Sequence, residues 1–98
     1  MGRPEKFPLE VPAAVGVGSI AYVFRFLHKT VQVTGAFTGQ LQIEGSIEAD
    51  EFTPIGAALG APGFVLVPQS VAYLRVRVVE LTAGHPRATM AGFDDRAM

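Results

Sequence analysis

The chain has 98 residues, of which 49% are hydrophobic and 17% charged, and its formal net charge is -1. This length fits one small domain, and so large an apolar fraction excludes an intrinsically disordered protein. A chain without cysteine has neither disulfides nor thiolate metal sites, and one without a basic excess is not expected to bind nucleic acid. Oligomerisation is the remaining common support for so small a core, so we expect a homo-oligomer.

The apolar stretch from Val11 to Phe24 does not indicate a membrane partner. Pro12, Gly16 and Gly18 interrupt it, and it is shorter than the roughly 20 residues that a transmembrane helix needs. Prolines and glutamates also separate it from the basic residues at the N-terminus, which a signal peptide would not show. We therefore expect a protein that is made in the cytoplasm without a cleaved leader.

Residues 1–18 are predicted to form an extended arm. Prolines recur there at four-residue intervals, and each favours extended geometry at its own position and the one before, which excludes a helix and an interior strand. Alternate positions carry apolar side chains, which an extended chain places on one side. These apolar residues are Phe7, Leu9 and Val11. Such a row favours an arm that is buried on a neighbouring subunit, and the alternative is a solvated, mobile terminus.

Residues 19–93 are predicted to form a small antiparallel β-sandwich of the jelly-roll or immunoglobulin-like type. The chain contains twelve valines, four isoleucines and six threonines, and these β-branched residues favour strands. Polar and apolar residues alternate in Lys29–Phe37 and again in Gln40–Ile47, and Thr38-Gly39 between them is typical of a hairpin turn. Because the apolar residues of both runs lie at odd-numbered positions, we expect both sets of side chains on one face of the sheet.

The second half of the chain continues the strand pattern. Tyr73–Leu81 alternates as far as Val78-Val79, where one extra residue is expected to form a β-bulge. In Ile20–Leu27 the odd-numbered and the even-numbered positions are both largely apolar. We therefore expect a strand that is buried on both faces, by the arm or by another chain. Residues 94–98 are predicted to be a charged tail. Shorter strands, separated by Gly and Pro turns, are predicted at Phe52–Ile55, Phe64–Val67 and Ala88–Phe93. The predicted core consists of Val31, Val33, Phe37, Leu41, Ile43, Leu74 and Val76.

No catalytic or cofactor-binding motif is found in the sequence, so we expect neither an enzyme nor a bound cofactor. The glycine-rich stretch of residues 16–19 lacks the third glycine of a dinucleotide site, and no serine has the flanking glycines of a nucleophile elbow. Glu48, Asp50 and Glu51 offer oxygen ligands to calcium, but their loop lacks the glycine and the ligand spacing of an EF-hand. A polar loop tip is the favoured interpretation, and no metal is expected.

Surface arginines indicate a protein interface rather than a nucleic-acid site. Arg75 and Arg77 share one face of a predicted strand, and Arg25 could lie near them. Without an aromatic platform they make a weak nucleic-acid site, whereas arginine is enriched in protein interfaces, where it pairs with carboxylates. The predicted partner interface combines these arginines with apolar residues that another chain would bury. These are Phe7, Leu9, Val11, Tyr22 and Phe24.

One stretch, Phe37-Thr38-Gly39-Gln40-Leu41-Gln42-Ile43-Glu44-Gly45-Ser46, resembles small virion proteins of tailed bacteriophages. In that family a strand–turn–strand of the form F-x-G-x-x-x-I/L-x-G-S precedes an acidic loop and an aromatic residue, here residues 48–52. A later V-x-Y-L/I-R-V strand is matched by Val71–Val76, so the resemblance covers residues 29 to 93. The chain departs from the family at Glu51, where glycine is frequent, and at Phe52, where tryptophan is. The proline-rich arm lies outside the shared part.

The resemblance implies a non-enzymatic virion structural protein, with a head decoration or cement protein as the leading hypothesis. The implied partners are a major capsid protein and further copies of the chain, and the implied location is the exterior of the capsid. A tail or head-fibre component is the alternative within the same class. A carbohydrate-binding module is the alternative from another class, although such modules display exposed Trp or Tyr. This chain has no Trp and two Tyr, both in predicted strands.

Overall fold

The computed structural model describes residues 4–68 and 71–94, which form two antiparallel β-sheets packed face to face. Within these ranges no helix has the length and apolar character needed to cross a membrane. The all-β sandwich predicted from the sequence is confirmed. The strands of the described ranges are β1 (Pro4–Leu9), β2 (Gly16–Val17), β3 (Ala21–Tyr22), β4 (Phe26–Thr34), β5 (Phe37–Ser46), β6 (Thr53–Leu59), β7 (Gly63–Val67), β8 (Tyr73–Gly84) and β9 (Arg87–Asp94).

The strands pair in a nested order, as if one long hairpin had been rolled up. β5 and β6 form its tip, and outward from the tip β4 pairs with β7, β2 and β3 pair with β8, and β1 pairs with β9. Rolling adds two further pairings, β4 with β9 and β5 with β8. Sheet A therefore has the order β1-β9-β4-β7, and sheet B has the order β2-β8-β5-β6 with β3 also on β8. This arrangement is that of a jelly roll, one of the two sandwich types that the sequence predicts.

Aliphatic side chains fill the space between the two sheets and alternate along the strands with outward-facing residues. Phe37 is half-buried and packs against this core. The other six residues of the predicted core are buried, namely Val31, Val33, Leu41, Ile43, Leu74 and Val76. The alternation in the sequence therefore identifies the inward face of each of these strands.

The longest ladder of the fold, between β5 and β8, contains the predicted β-bulge. Leu41 pairs with Val78, whereas the preceding Gln40 pairs with Glu80, so Val79 is the extra residue. Val79 is exposed, and the residues on either side of it keep their pairing. The break in parity at Val78-Val79 is thus the sequence signature of this bulge, because the extra residue flips the facing of the strand that follows.

The hairpin predicted at Thr38-Gly39 is wrong, because these residues lie inside β5. The chain turns earlier, between β4 and β5, and the turn carries it from sheet A to sheet B. Gly39 instead marks a second bulge, where Thr38 pairs with Ala83 and Gly39 with Leu81. A Cβ atom at Gly39 would lie 2.1 Å from the carbonyl oxygen of Glu80, so the close approach of the strands requires glycine. The apolar rows share a parity because they face each other across the core.

The structure differs from the prediction that residues 1–18 form an arm outside the sandwich of residues 19–93. Residues 4–9 are extended, as predicted, but they form β1 at the edge of sheet A, where proline is tolerated. Leu9 is buried in the core, and Phe7 and Val11 pack against it. The prediction that these three side chains lie on a neighbouring subunit is therefore wrong, because β9 of the same chain supplies the partner strand. At the other end β9 includes Asp94, and the predicted tail beyond it lies outside the described residues.

The strand predicted over residues 20–27 is broken. Only the two residues of β3 pair with β8, and a turn closed by a hydrogen bond of 3.0 Å from the Phe26 N–H to the Val23 carbonyl leads into β4. Val23 and Phe26 are buried in the core. Three other apolar side chains of this segment are exposed, namely Ile20, Tyr22 and Phe24. The N-terminal strand contacts this segment at Arg25 and Phe26 but leaves these three side chains exposed.

Leu41 tests the core assignment, because its side chain is enclosed between the sheets. Truncation in Leu41→Ala removes buried methyl groups and leaves a cavity, so we expect the free energy of unfolding to fall by about 2–5 kcal/mol. Urea denaturation measures this change. Val79→Ala, at the exposed bulge residue of the paired strand, should alter it by less than about 0.5 kcal/mol. Equal effects of the two substitutions would contradict the assignment.

Candidate functional site

The outer face of sheet B carries a carboxylate held between two arginines. Nε of Arg75 donates to Oε1 of Glu44 at 2.8 Å, and Nε of Arg77 donates to Oε2 at 2.7 Å. Only 7% of the Glu44 side chain is exposed, and the Arg75 guanidinium carbon lies 4.0 Å from the ring centroid of Phe52. Arg75 and Arg77 therefore share one face, as predicted, and both bind a carboxylate of their own chain.

The electrostatics of this cluster favour the ionised form of Glu44. Burial alone would raise the pKa of Glu44, but the hydrogen bonds and positive charges of Arg77 and Arg75 outweigh burial and hold the pKa below its ordinary value. Because Glu44 lies on β5 and both arginines lie on β8, the ion pairs join two neighbouring strands of sheet B. The cluster is thus a cross-strand contact that stabilises the sheet.

Arg25 connects the turn before β4 to strand β1. Its Nη2 donates to Oε1 of Glu5 at 2.6 Å, and its guanidinium carbon lies 4.4 Å from the ring centroid of Phe26. The Phe26 ring in turn contacts Phe7, with the centroids 6.0 Å apart. Both members of the Arg25–Glu5 ion pair are substantially exposed, so this pair is expected to contribute little to stability.

Exposed apolar side chains gather at the edge of sheet B, beside β3. We call the group formed by the exposed Ile20, Tyr22 and Phe24 and the half-buried Tyr73 the aromatic edge. Tyr22 is 65% exposed and Phe24 is 62% exposed. Their rings are stacked, with centroids 6.4 Å apart and 25° between the planes, and Tyr22 also contacts Tyr73 at a centroid distance of 5.3 Å. Two of the residues predicted at a partner interface, Tyr22 and Phe24, therefore lie together and uncovered in the single chain.

The segment that leads into the aromatic edge is fixed by hydrogen bonds. The Ser19 N–H donates to Oε1 of Glu10 at 2.8 Å, and the Ser19 hydroxyl donates to the same oxygen; these bonds lower the pKa of Glu10. The Gly18 N–H donates to the Val76 carbonyl at 2.9 Å. A Cβ atom at Gly18 would lie 2.1 Å from the carbonyl oxygen of Glu10, so this approach also requires glycine. The residues just before Ile20 are thus held against β8 and the end of β1.

Sheet A contains a buried lysine. Lys29 follows the inward parity of Val31 and Val33 on β4 and is 3% exposed. Its Nζ donates to the carbonyl oxygen of Phe26 at 2.9 Å. Burial lowers the pKa of Lys29, because the ammonium group loses hydration that the protein interior does not replace in full.

The acidic residues Glu48, Asp50 and Glu51 lie in the loop between β5 and β6, beside an open depression of about 570 Å³. Oγ of Ser46 accepts hydrogen bonds from the N–H groups of Glu48 and Ala49, at 3.2 and 2.9 Å, which fold the loop back onto the end of β5. In the part of the chain that the structure describes, no three metal-ligating side chains come close enough together to hold an ion.

Two surface features are not evident from the sequence alone. The pairing of Glu44 with the arginines depends on the register of β5 against β8, which no local pattern reveals. Phe64 and Leu66 are exposed on β7, where they alternate with the buried Val65 and Val67. That alternation is a strand signal, but all four side chains are apolar, so the sequence does not show which pair faces outward.

Comparison with known proteins identifies the fold but not a family. The chain matches no protein-family model and no curated protein sequence. Its fold is similar to that of the SPBc2 prophage-derived protein YomS, a crystal structure that it matches with a TM-score of 0.78 over 96% of each chain. The sequence identity is 14%. At this identity the likeness shows a shared fold, and function must be argued from the surface.

Glu44→Gln tests the arginine–carboxylate cluster. The substitution leaves two arginines without an anion, so we expect the free energy of unfolding at neutral pH to fall by about 1–3 kcal/mol. Because the pKa of Glu44 is lowered in the folded chain, its stabilisation is present above the unfolded pKa of about 4.3 and is lost as the pH falls through the folded pKa. The difference between the two proteins should therefore shrink in acid. Glu80→Gln, at an exposed position of β8, is the matched control, and an equal loss there would contradict the assignment.

Lys29→Met tests the buried lysine through the pH dependence of stability. The folded chain loses the Lys29 proton more readily than the unfolded chain, so the unfolded state binds more protons and native stability rises with pH. This rise occupies the window from the lowered folded pKa up to the unfolded value of about 10.4. The stability of Lys29→Met relative to the natural chain should therefore fall as the pH rises through that window, measured by urea denaturation. Lys6→Met, at an exposed position of β1, should show no such slope, and a flat difference for both would contradict the interpretation.

Proposed function

We propose that this chain is a non-enzymatic bacteriophage virion structural protein, with decoration or cementing of the head as its role. In this proposal it binds a major capsid protein on the exterior of the capsid and acts by contact alone. The observation that carries the proposal is the aromatic edge, where the stacked rings of Tyr22 and Phe24 remain exposed at the edge of a sheet within residues 4–68 and 71–94.

The aromatic edge has the composition of a protein-binding surface. Aromatic side chains bury about 150–250 Å² each when they are covered, and they dominate interface energetics for that reason. Tyrosine and arginine are also enriched among the residues that carry most of a binding free energy. Arg25 follows Phe24 directly in sequence and is partly exposed, so it adds a charged group at the rim, where charges guide orientation.

The fold and the comparisons support a phage protein. Jelly rolls are the architecture of viral capsid and lectin domains, and the similar solved structure is described as prophage-derived. The sequence resemblance covers residues 29 to 93 and favours a virion structural protein, for which decoration of the head is the leading hypothesis. A tail or head-fibre component would use the same surface on a different partner.

A carbohydrate-binding module is the second candidate, and one observation favours it. Sugar-binding surfaces stack exposed aromatic rings on the sugar, and the ring of Tyr22 is exposed although the residue lies in a strand. The same ring stacks on Phe24, and both rings are exposed. The two candidates therefore share the aromatic edge and differ in what covers it.

Particles of the phage whose genome encodes this chain provide the test. Mass spectrometry of particles should find the chain in many copies, as expected for head decoration, whereas a few copies would indicate the tail. Purified chain should also rebind particles that lack it. We expect Tyr22→Ser and Phe24→Ser each to weaken rebinding at least about 30-fold, the equivalent of about 2 kcal/mol.

Val79→Ser is the matched control, because Val79 is an exposed apolar residue elsewhere on sheet B; it should rebind like the natural chain. Thermal unfolding of all three variants checks that each remains folded. Absence of the chain from particles, or equal rebinding by all variants, would overturn the proposal. Loss of binding to an oligosaccharide array in the two aromatic variants, with particle binding unaltered, would establish the carbohydrate-binding function instead.

A further inference from the structure

We infer that the free edge of β7 is a self-association surface, at which two copies of this chain pair their β7 strands across a two-fold axis. β7 is the outermost strand of sheet A and pairs on one side with β4. In an antiparallel sheet, the backbone N–H and C=O groups of alternate residues point away from the paired side. Along β7 these groups form a row that can bind another strand.

β7 lacks the features that block strand addition at the other edges of the described sandwich. β1 carries Pro8 and an exposed lysine within the strand. β6 contains Pro54 and Gly56, which has a positive φ of 71°. β2 and β3 are only two residues long. Proline, lysine, irregular backbone and short length each protect an edge strand from pairing, and β7 has none of the first three within its five residues.

The outward-facing side chains of β7 are apolar and exposed, so they also do not prevent another strand from pairing with it. Phe64 is 65% exposed and Leu66 is 69% exposed, whereas Val65 and Val67 face the core. No residue of Gly63–Val67 carries a charge. On the adjoining strand, Gln32 lies beside Phe64 and Thr30 lies beside Leu66, so the surroundings on this face of β4 are polar but also uncharged.

A second copy of the chain fits this edge better than an unrelated strand, because the sequence of β7 is complementary to itself. Antiparallel pairing about a two-fold axis through Val65 places Phe64 of one copy opposite Leu66 of the other, and Gly63 opposite Val67. Every pair is apolar, and no charged residue lies opposite a like charge. The Phe64 and Leu66 side chains of the two copies, four in all, form one cluster on the outer face, because side chains directly opposite each other on paired strands are in contact. Proline at positions 62 and 68 limits the pairing to the same five residues in both copies.

The inferred dimer joins the two sheets A into one continuous sheet of eight strands. Its interface is smaller than the roughly 800 Å² per partner of a stable protein complex, since it consists of five residues from each copy and their neighbours. We therefore expect a dimer that forms at high protein concentration and dissociates on dilution. In sheet A, β7 and β1 are opposite edges, and the aromatic edge belongs to sheet B beside β8. The surface is therefore separate from the one on which the proposed function depends.

Sedimentation velocity of the natural chain between about 10 µM and 1 mM should show the monomer at the low end and the dimer at the high end. Leu66→Lys places a charge of each copy close to the two-fold axis and should leave only monomer across the same range. Val79→Lys introduces the same charge at an exposed site on sheet B and should dimerise like the natural chain. Because Leu66 and Val79 are both exposed, both variants should keep their thermal stability, which circular dichroism measures.

Cysteine substitution tests the register, because the natural chain has no cysteine. In the inferred pairing Phe64 lies opposite Leu66 of the other copy and not opposite itself. A mixture of Phe64→Cys and Leu66→Cys chains should therefore oxidise mainly to mixed disulfide dimers, and each variant alone should cross-link at least several-fold more slowly. Equal rates in all three samples would overturn the inferred register.

Three further results would overturn the inference. The natural chain could remain monomeric at the highest concentration. It could form a dimer that Leu66→Lys leaves intact and Tyr22→Ser dissociates, which would place the contact at the aromatic edge. Finally, a monomeric chain whose binding to particles is weakened by Leu66→Lys would show that β7 pairs with a different protein. None of these results depends on whether Tyr22→Ser and Phe24→Ser weaken particle binding, so the proposed function can fail or hold independently.

Discussion

The unpaired backbone at the edges of the sheets is the physical constraint on which the surface of this protein depends. A two-sheet sandwich has open edges, and each edge strand exposes N–H and C=O groups that another strand can bind. In this chain the edges are treated differently. Prolines and a lysine protect β1, an irregular backbone protects β6, and β2 and β3 are too short to form a regular edge. Among the described residues, no strand pairs with the outer edge of β7, and the edge at β3 carries exposed aromatic side chains.

The inward face of the fold is predictable from the sequence because burial imposes a period of two on each strand. The alternation in residues 29–37, 40–47 and 73–78 identifies six buried core residues, and the break of parity at Val78-Val79 identifies the bulge. These are local signals, since each depends only on side chains that are close in sequence. The same signals cannot assign a strand to a sheet. Apolar residues at odd-numbered positions of two consecutive strands are expected both when the strands are neighbours in one sheet and when they face each other from opposite sheets. The alternation therefore could not exclude the second arrangement, and the hairpin predicted at Thr38-Gly39 is wrong.

Long-range pairing explains the other differences between sequence and structure. The apolar row of Phe7, Leu9 and Val11 correctly indicates a surface to be buried, but the sequence does not show that pairing with the distant strand β9 places this row against the chain's own core. In the same way Arg75 and Arg77 correctly share a face, but their partner Glu44 becomes evident only when β5 and β8 are placed in register. Nested pairing in a jelly roll brings β1 and β9 together, so the N-terminal strand is the least predictable part of this fold.

Intramolecular pairing also changes which residues remain available to a partner. The arginines on β8 bind Glu44, and breaking those ion pairs to bind another protein would leave a buried carboxylate without its partners, which is costly. Apolar side chains have no such competing contact at the aromatic edge or on the outer face of β7, so covering them costs no internal interaction. Water is released from both surfaces when they are covered, and that gain is proportional to the apolar area. Of the side chains that the sequence places in one partner interface, the exposed apolar ones are therefore better suited to bind another protein than Arg75 and Arg77, and this is why both proposals centre on exposed apolar residues.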